Sequence, residues 1–439
     1  MTQTPPHSQA PDDDASGTVR ASPPRAPEAG GDEWPPRTPV VSTSTASARP
    51  SDSKGSSAPV ADRVLILRLG AMGDVIRTLP AVAALRSLYP GAHLSWLVEP
   101  ASAGVVEVSG LVDETLVFPR RALVEAFREA DALSFARRLG GFLETLRQRR
   151  FEVSLDFHGI LKSGLLSLLS GAPTRVGFAR PVGREGAPLF ANRLVHGVDP
   201  ECSRFDRNAA LVRALDPHVE IPERPLLRPS ALAQARLAAR LRATGRESAG
   251  GFALIHPGSS AGAQHKRYAP EAWAAVARRL AALGVEVWIA AGPNRHERNL
   301  AESISRRAEG ALVLAPETRS FDDLLALQAR AGVFIASDSG PLHAASLSGV
   351  PVVQLLGPTH PVQNEPWSGS PSRRLHVPLA CSPCRRGCAD PACMRSIPAD
   401  VVADTARELL AAVSGGEVSA RSVRQPASGV SGTSGETHA

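Results

Sequence analysis

Short apolar runs alternate with amphipathic stretches along most of the chain, from about residue 61 to residue 414. The runs end in small or polar residues, which is typical of buried parallel strands. They are Arg63–Arg68, Leu94–Glu99, Thr115–Phe118, Val153–Phe157, Phe252–His256, Val285–Ala290, Val333–Ser337 and Val352–Leu356. Between them, apolar residues recur at helical spacing, as from Val75 to Leu88. Strands that alternate with helices predict parallel sheets of the α/β class.

The strand and helix pattern begins a second time at Phe252, after a Pro- and Gly-flanked helix between Pro222 and Gly251. This restart predicts two similar α/β domains, 61–225 and 226–414, whose parallel sheets face a central cleft. Residues 1–60 and 415–439 lack apolar periodicity and are rich in small and polar residues. Such segments bury too little apolar surface to offset their ordering entropy, so both tails are predicted to be disordered.

The composition of the chain limits the kinds of molecule that it is expected to bind. Its 439 residues carry a net charge of +6 with a pI near 9.5, which suits anionic partners such as nucleotide sugars, acidic lipids or nucleic acid. Only 4% of residues are aromatic, without the aromatic and basic interleaving of base-stacking proteins, so we expect no nucleic acid. No apolar run reaches the roughly 18 residues of a spanning helix, and no signal peptide is apparent, so a cytoplasmic location is expected.

Residues 120–150 predict a long Arg-rich helical stretch. One interpretation is a surface helix with a solvated basic face. The other is a basic, partly apolar face that rests on anionic membrane lipid, which would make the protein peripheral to a membrane.

The first strand leads into a tight loop with Gly70 and Gly73, and Asp74 follows at the start of the next helix. In open α/β sheets ligands bind outside the carboxyl ends of the strands, so Asp74 is expected at a binding edge. The alternative is that Asp74 only caps its helix. The loop lacks the spacing of the dinucleotide fingerprint.

Three further loops suit phosphate. Asp338-Ser-Gly-Pro-Leu-His343 follows a strand, where Ser339 can cap a helix, Gly340 leaves backbone N–H groups open, and His343 can donate to a phosphate oxygen. The alternative is an ordinary strand-to-helix connection with a packed histidine. His256-Pro-Gly-Ser-Ser260 with Lys266 and Arg267 suits a diphosphate, and Gly357-Pro-Thr359 is a third small-residue loop at the same predicted edge. No Asp-x-Asp ends a strand, which argues against a divalent metal on the diphosphate.

Together these motifs resemble the lipopolysaccharide heptosyltransferase family, glycosyltransferase family 9, over about residues 62–412. The matching segments are Arg63–Asp74, Asp156–Ser163, Arg175–Phe178, His256–Ser259, Asp338–His343 and Gly357–Thr359. The resemblance implies a GT-B fold of two Rossmann-like domains. It also implies inverting, metal-independent transfer of heptose from ADP-heptose to a lipid-linked lipopolysaccharide core acceptor, with no cofactor required for catalysis.

The resemblance also implies roles for individual residues. Asp74 looks like the general base. The donor-binding candidates are Ser259, Ser260, Lys266, Glu297, Asp338, Ser339, Gly340, His343 and Thr359. The acceptor-binding candidates are Gly73, Asp156, Lys162 and Arg175. The chain departs from the family pattern at Ser203, where a histidine is common, and in its long N-terminal tail.

Four cysteines, Cys381, Cys384, Cys388 and Cys393, lie close together in the chain, and similar clusters occur in many family members. Thiolates at these spacings suit a tetrahedral structural zinc. Unmetallated thiols, or disulfide or redox chemistry, are the alternatives.

Three other functions fit the same sequence. The first is a GT-B transferase that uses another nucleotide sugar or a protein or polymer acceptor. The second is an epimerase or hydrolase of nucleotide sugars, which would turn over the donor without an acceptor. The third is a non-catalytic module that binds a sugar nucleotide or lipid.

Overall fold

The computed structural model describes residues 58–247, 251–384, 387–388 and 390–415. Residues 1–57 and 416–439 of the predicted tails, 1–60 and 415–439, lie outside the described residues, so their disorder stays a prediction. Residues 58–60 are described, and Ala58 packs against a buried apolar cluster. Within the described residues the chain forms two sheets of six strands each, and all strand pairs are parallel. The predicted α/β class with two parallel sheets is confirmed.

The first sheet has the strand order β3-β2-β1-β4-β5-β6. Its strands are β1 (Arg63–Leu67), β2 (His93–Val98), β3 (Glu114–Val117), β4 (Val153–Asp156), β5 (Thr174–Phe178) and β6 (Arg193–Val195). Chain order reverses between β1 and β4, where Leu67 pairs with Asp156 at the carboxyl ends. Such a switch point is where open α/β sheets bind ligands.

The second sheet has the strand order β12-β11-β10-β7-β8-β9, which repeats the first order with the same reversal. Its strands are β7 (Phe252–His256), β8 (Val287–Ile289), β9 (Val313–Leu314), β10 (Ala331–Ser337), β11 (Val352–Leu356) and β12 (Ser372–His376). Here the switch point lies between β7 and β10, where His256 pairs with Ala336. Each sheet therefore has the doubly wound order of a Rossmann fold.

Helices cover both faces of each sheet. Those of the first half are α1 (Met72–Leu88), α2 (Pro100–Ser109), α3 (Arg120–Arg128), α4 (Ala132–Gln148), α5 (Leu161–Leu169) and α6 (Arg204–Arg213). Those of the second half are α7 (Ala231–Ala243), α8 (Pro270–Ala282), α9 (Arg295–Arg307), α10 (Phe321–Gln328), α11 (Gly340–Leu347), α12 (Ala392–Arg395) and α13 (Ala399–Ser414). No described helix has both the length and the apolar character needed to cross a bilayer.

Four strands and five helices of these halves were not predicted from the sequence: β5, β6, β9 and β12, and α2, α6, α9, α12 and α13. β6, β9 and β12 lie at sheet edges and are partly exposed, so they lack the continuous apolar run of a central strand. β5 lies next to β6, and Arg175 and Gly177 interrupt its apolar run. The long Arg-rich helix predicted over 120–150 is in fact two helices. They are interrupted at Ala130, which has a positive φ of 54°.

The two halves meet through α1 and α11, which pack against each other. The apolar cluster around α1 includes Leu325, Ala344 and Leu347 of the second half, so the packing is continuous across the junction. The predicted boundary at residue 225 is not tested by these contacts and stays a prediction.

Candidate active site

A cleft of about 690 Å³ opens between the carboxyl edges of the two sheets. It brings together most of the residues that the sequence singled out: Gly73, Asp74, Ser259, Ser260, Lys266, Glu297, Asp338, Ser339 and Gly340. Five predicted site residues do not line it: Asp156, Lys162, Arg175, His343 and Thr359. Other residues that line the cleft were not singled out from the sequence, among them Arg77, Glu99, Arg204, Thr318 and Arg319.

Two helix N-termini meet at the floor of the cleft. A Cβ on Gly73 in the first turn of α1 would lie 3.4 Å from the Cα of Gly340, the first residue of α11. A Cβ on Gly340 would lie 3.2 Å from the sulfur of Met72. These glycines allow the two backbones to approach, and the positive ends of both helix dipoles then face the same space. An anionic group such as a diphosphate is favoured there.

Asp74 is not a helix cap. The N-cap of α1 is Ala71, and Asp74 lies in the first turn with its carboxylate surrounded by arginines. Its Oδ2 lies 2.6 Å from Arg68 Nη2, and its Oδ1 lies 3.2 Å from Arg204 Nη1 and 3.8 Å from Arg77 Nη2. Capping alone therefore does not explain Asp74.

The electrostatics of Asp74 follow from this cage of three arginines. Burial by itself raises the pKa of the Asp74 carboxyl, but the charges of Arg68, Arg77 and Arg204 outweigh burial and hold that pKa well below its usual range. Asp74 is therefore ionised, and able to accept a proton, at any physiological pH. It is also a weak base as long as all three arginines surround it.

One side-chain amide, that of Asn364, links Arg204 and Arg77 to the second half of the chain. Asn364, in the loop after β11, accepts at Oδ1 from Arg204 Nη1 at 2.9 Å and from Arg77 Nη1 at 3.0 Å. On the other side Asn208 of α6 donates to the Arg77 backbone oxygen at 3.0 Å. No local sequence pattern predicts this network, because its members come from three separate stretches of the chain: α1, α6 and the loop after β11.

The predicted diphosphate loop is built around a buried carboxylate. Asp338, at the end of β10, accepts from Lys266 Nζ at 2.9 Å and from His343 Nε2 at 3.1 Å. Burial would raise the pKa of Asp338, but His343, Lys266 and Arg77 hold it far below its usual range. Lys266 is thus oriented towards the cleft by Asp338.

His343 does not face the cleft. The ring is fully buried behind Asp338, and burial lowers the pKa of His343 to about 4, with Arg77 acting in the same direction. The neutral ring donates to Asp338 and orients that carboxylate. The structure therefore favours the packed histidine that the sequence left as an alternative to a phosphate donor.

Ser339 occupies the N-cap position of α11, but its hydroxyl makes no capping hydrogen bond. The Ser339 Oγ is buried without a partner in the described structure, next to the cleft that the residue lines. An unsatisfied buried hydroxyl costs free energy unless a ligand or water engages it.

The hydroxyl of Ser259, in the loop after β7, has partners within the chain. Its Oγ accepts from Arg267 Nε at 2.9 Å and donates to the Ala263 oxygen at 3.0 Å.

Glu297 is held in place at the start of α9. Asn294 caps that helix by accepting from the Glu297 N–H at 2.9 Å. The Glu297 carboxylate lies directly against Gly292, where an added Cβ would fall 2.0 Å from Oε2. Only glycine at position 292 leaves this space, so the loop after β8 and the carboxylate form one unit that lines the cleft. Thr359, in contrast, belongs to the neighbouring loop after β11, and its hydroxyl is buried without a hydrogen-bond partner among the described residues.

The acceptor-binding candidates are spread out. Asp156 is buried, and it accepts at Oδ1 from the His158 and Gly159 N–H groups and at Oδ2 from Ser163 Oγ at 2.9 Å. Burial raises the pKa of Asp156 to about 6 despite these hydrogen bonds. The carboxylate thus braces the loop that begins α5.

The other two candidates lie at different distances from the cleft. Lys162 Nζ lies 2.6 Å from Glu99 Oε1. Because Glu99 lines the cleft, Lys162 affects the cleft through the Glu99 carboxylate. Arg175 binds the backbone oxygens of Phe190 and Ala172 instead, at 2.8 and 2.9 Å. The structure does not bring Arg175 to the cleft.

The described cysteines are free thiols, with Cys381 and Cys388 exposed and Cys393 buried. Among the described residues, no group of three or more His, Cys, Asp or Glu side chains is arranged to hold a metal ion. These cysteines therefore do not form a fourfold thiolate site as placed, and zinc binding stays a prediction. Their segment packs on the loop after β11, since the Cys384 N–H donates to the Pro358 oxygen at 2.7 Å.

Known proteins resemble this chain over most of its folded length. Residues 140–391 match the model of glycosyltransferase family 9 (heptosyltransferase). The chain is 26% identical over 335 residues to lipopolysaccharide heptosyltransferase 1 of Pseudomonas aeruginosa, covering 73% of this chain and 86% of that protein. It is 24% identical over 306 residues to the lipopolysaccharide core heptosyltransferase OpsX of Haemophilus influenzae, covering 69% and 81%.

Solved structures show the same fold. E. coli heptosyltransferase WaaC with ADP superposes with a TM-score of 0.62 at 21% identity, covering 79% of this chain and 99% of that one. WaaC with ADP-2-deoxy-2-fluoro heptose gives a TM-score of 0.61 at 23% identity, with coverage of 79% and 99%. The fold is thus the GT-B arrangement that the sequence predicted. Since the family model spans more than half of the chain, this protein is a glycosyltransferase that belongs to glycosyltransferase family 9, the heptosyltransferase family.

Proposed function

We propose that this enzyme transfers heptose from ADP-heptose to a lipopolysaccharide inner-core acceptor, with inversion at the anomeric carbon and without a metal. One observation carries the proposal. A single cleft holds an ionised carboxylate, Asp74, on the first half of the chain and an anion-binding set, Lys266 with the N-terminus of α11, on the second. These are the two parts that a direct displacement from a diphosphate requires.

The donor assignment is supported by the second half of the cleft. Lys266 supplies a cation, and the Ser339 hydroxyl and the first turn of α11 supply donors for phosphate oxygens. Fixed donors of this kind stabilise the charge that develops on a departing diphosphate, so no divalent metal is needed for that role. Glu297 is the proposed contact of the ribose hydroxyls. Among the similar structures, WaaC is named with ADP and with a fluorinated ADP-heptose.

In the proposed step an acceptor hydroxyl attacks the anomeric carbon of heptose from the face opposite the diphosphate. The new bond joins the acceptor oxygen to that carbon, and the bond between the carbon and the diphosphate oxygen breaks. Asp74 accepts the hydroxyl proton, and ADP leaves with the bonding electrons. A single displacement of this kind inverts the anomeric configuration.

The arginine cage makes the basicity of Asp74 depend on the acceptor. The Arg204 side chain is 33% exposed, against 13% for Arg68 and 6% for Arg77, so Arg204 is the arginine that an acceptor can reach. An anionic group of the acceptor that engages Arg204 would weaken its pairing with Asp74. The pKa of Asp74 would then rise towards the value of a useful base at the time when the acceptor hydroxyl arrives.

The acceptor assignment is supported by the relatives, which are named as lipopolysaccharide heptosyltransferases. A lipid-linked acceptor implies that the enzyme works at the cytoplasmic face of a membrane as a peripheral protein. The basic α3 and α4 segment, with eight arginines against four acids over 120–150, suits such a surface.

The test is a binding and turnover comparison in the presence of EDTA. We expect ADP-heptose to bind more tightly than UDP-, GDP- and other ADP-sugars, and transfer to proceed with the chelator present. The product linkage, read by NMR, should have the anomeric configuration opposite to that of the donor. Tighter binding of another nucleotide sugar would show that ADP-heptose is not the donor. Loss of activity with EDTA would show that transfer requires a metal. Turnover of the donor without acceptor would indicate an epimerase or hydrolase.

A further inference from the structure

Helix α5 exposes a row of leucines. Leu161, Leu165 and Leu168 lie four and three residues apart, on one face of the helix, and are 40–48% exposed. The short turn Ala187–Phe190 contacts α5 and carries Leu189, which is 85% exposed. We call these four residues the leucine ridge. Single exposed leucines are ordinary on protein surfaces, but several on neighbouring elements mark an interaction surface.

The turn that carries Leu189 is held firmly on α5. A Cβ on Gly164 of α5 would lie 3.0 Å from the Phe190 ring and 3.1 Å from the Ala187 oxygen, so this glycine lets the turn pack closely. The helix itself packs inward through Leu166, which belongs to the core cluster beneath the first sheet. The leucine ridge is therefore a rigid outer surface of a well-packed layer.

Cations flank the leucine ridge. Arg180 and Arg184 are exposed in the loop before the turn, and the Arg184 N–H donates to the Gly159 oxygen at 2.8 Å, which places this loop beside the start of α5. At the other end of the helix, Arg147 Nε donates to the Leu169 oxygen at 3.0 Å. Residues 161–190 contain four Lys and Arg residues and a single acid, Glu185. An apolar surface with basic flanks complements a bilayer with anionic headgroups.

The leucine ridge also begins at the acceptor side of the cleft. Leu161 is followed by Lys162, whose Nζ lies 2.6 Å from Glu99 Oε1. Glu99 lines the same cleft as Asp74. A membrane that contacts the leucine ridge would thus lie next to the mouth through which a lipid-linked acceptor has to enter.

We propose that the leucine ridge, with Arg180 and Arg184 beside it, is the surface by which this enzyme docks on an anionic lipid bilayer. The leucines insert among the headgroups and acyl chains, while the arginines contact lipid phosphates. The reason for docking there rests on the proposed function, because it presents the cleft to an acceptor held in the membrane.

The test uses the full chain and vesicles of phosphatidylcholine with or without phosphatidylglycerol, without donor or acceptor. Leu165→Gln/Leu168→Gln/Leu189→Gln should weaken binding to the anionic vesicles by about tenfold or more, because binding scales with buried apolar area. Arg180→Gln/Arg184→Gln should reduce the dependence on phosphatidylglycerol. Leu232→Gln is the matched control, since Leu232 is 60% exposed on α7 and lies outside the leucine ridge. Thermal unfolding checks that each variant is folded.

Equal vesicle binding by wild type and the triple variant would overturn the proposal. So would a dimer that the triple variant abolishes, because the leucine ridge would then bind a second copy of the chain. Transfer to an acceptor stripped of its lipid should be unchanged in the variant, and transfer to acceptor embedded in vesicles should fall. If the wild type transfers heptose to neither acceptor, the proposed function fails, while the vesicle result still decides the docking surface.

Discussion

Arg204 Nη1 lies 3.2 Å from Asp74 Oδ1, so an arginine at the start of α6 reaches the carboxylate in the first turn of α1. The same nitrogen lies 2.9 Å from Asn364 Oδ1, in a loop of the second half. Asp74 and the loop after β11 are therefore joined through one guanidinium. Any movement of Arg204 changes both the charge around Asp74 and a contact between the two halves.

The first prediction concerns the pH dependence of transfer. Asp74 is faced by Arg68, Arg77 and Arg204, and the nearby His158 ring stays neutral because burial lowers its pKa to about 4. Removal of one cation should raise the pKa of Asp74 by about one unit or more. In Arg204→Gln, the acid limb of kcat/KM should therefore shift to higher pH. Activity is present above the pKa of the base and is lost as the pH falls through it.

Arg204→Lys is the control, because it keeps a positive charge near Asp74 and should restore the acid limb towards that of the wild type. If Arg204 had only a structural role, Arg204→Gln would lower kcat/KM by the same factor at every pH and leave the acid limb at the same pH. A profile of Arg204→Gln that superposes on the wild type after scaling would contradict the proposed effect of Arg204 on Asp74.

The second prediction tests the base itself. Asp74→Asn should lower the rate of transfer by about 10²- to 10⁴-fold, the usual contribution of a general base, and leave donor affinity near that of the wild type. It should also lower the free energy of unfolding at neutral pH, because the surrounding arginines lose their counter-charge. That stabilisation is present above the carboxyl pKa of the unfolded chain, about 3.9, and is lost as the pH falls towards the depressed folded value.

Asp206→Asn serves as the control for Asp74→Asn, since Asp206 is exposed on α6 and does not line the cleft. Transfer rates should be measured with saturating donor and compared with donor affinity by calorimetry. Full activity in Asp74→Asn would remove the assignment of this residue as the base.

The third prediction concerns the donor. A hydrogen bond from a charged group contributes about 1.5–3 kcal/mol, so Lys266→Ala should raise the donor Kd roughly tenfold to a hundredfold. Lys162→Ala removes a lysine that binds Glu99 on the first half of the chain, and the donor affinity of this variant should not change. Calorimetric titration with ADP-heptose compares the two. Equal donor affinity in Lys266→Ala and the wild type would show that Lys266 does not bind the diphosphate.

The fourth prediction concerns Gly292 and Glu297. A methyl group at position 292 would collide with the Glu297 carboxylate, since the Cβ would lie 2.0 Å from Oε2. Gly292→Ala should displace this carboxylate and weaken donor binding to a similar extent as Glu297→Ala. Because both changes remove the same contact, the double variant should be no worse than either single one.

Gly91→Ala is the control for this glycine, because a Cβ there meets no atom within 4 Å. Additive losses of donor affinity in Gly292→Ala and Glu297→Ala would show that the two residues act on the donor separately. Donor affinity that neither variant changes would remove the proposed ribose contact.

The fifth prediction concerns the cysteines. The free thiols of Cys381 and Cys388 are exposed, so they should react quickly with a thiol reagent in the native protein. Burial raises the pKa of the buried Cys393 thiol, so that thiol should react only on unfolding. Metal analysis of protein purified without a His tag should accompany the titration. One equivalent of zinc, with all four thiols protected, would instead support the metal site that the spacing predicts.

The sequence by itself determined the fold class and most of the cleft. Strands and helices follow from local periodicity, and their alternation leaves few arrangements besides parallel sheets. The carboxyl ends of such strands share one edge, so Asp74, Lys266 and Asp338 were placed at a binding edge from their positions after strands. Short edge strands such as β9 were not predicted, because two residues are too few to show a periodic pattern.

Only the tertiary structure decided how each charge is used. Arg204 lies 130 residues from Asp74, and Asn364 lies 160 residues from Arg204, so no local pattern relates these residues. Packing likewise turned His343 away from the cleft and behind Asp338, and it directed Arg175 to backbone oxygens. The physical reason is that periodicity and turn chemistry act over a few residues. The pKa of a carboxylate and the partner of a cation depend instead on distances that close only when the two halves of the chain pack together.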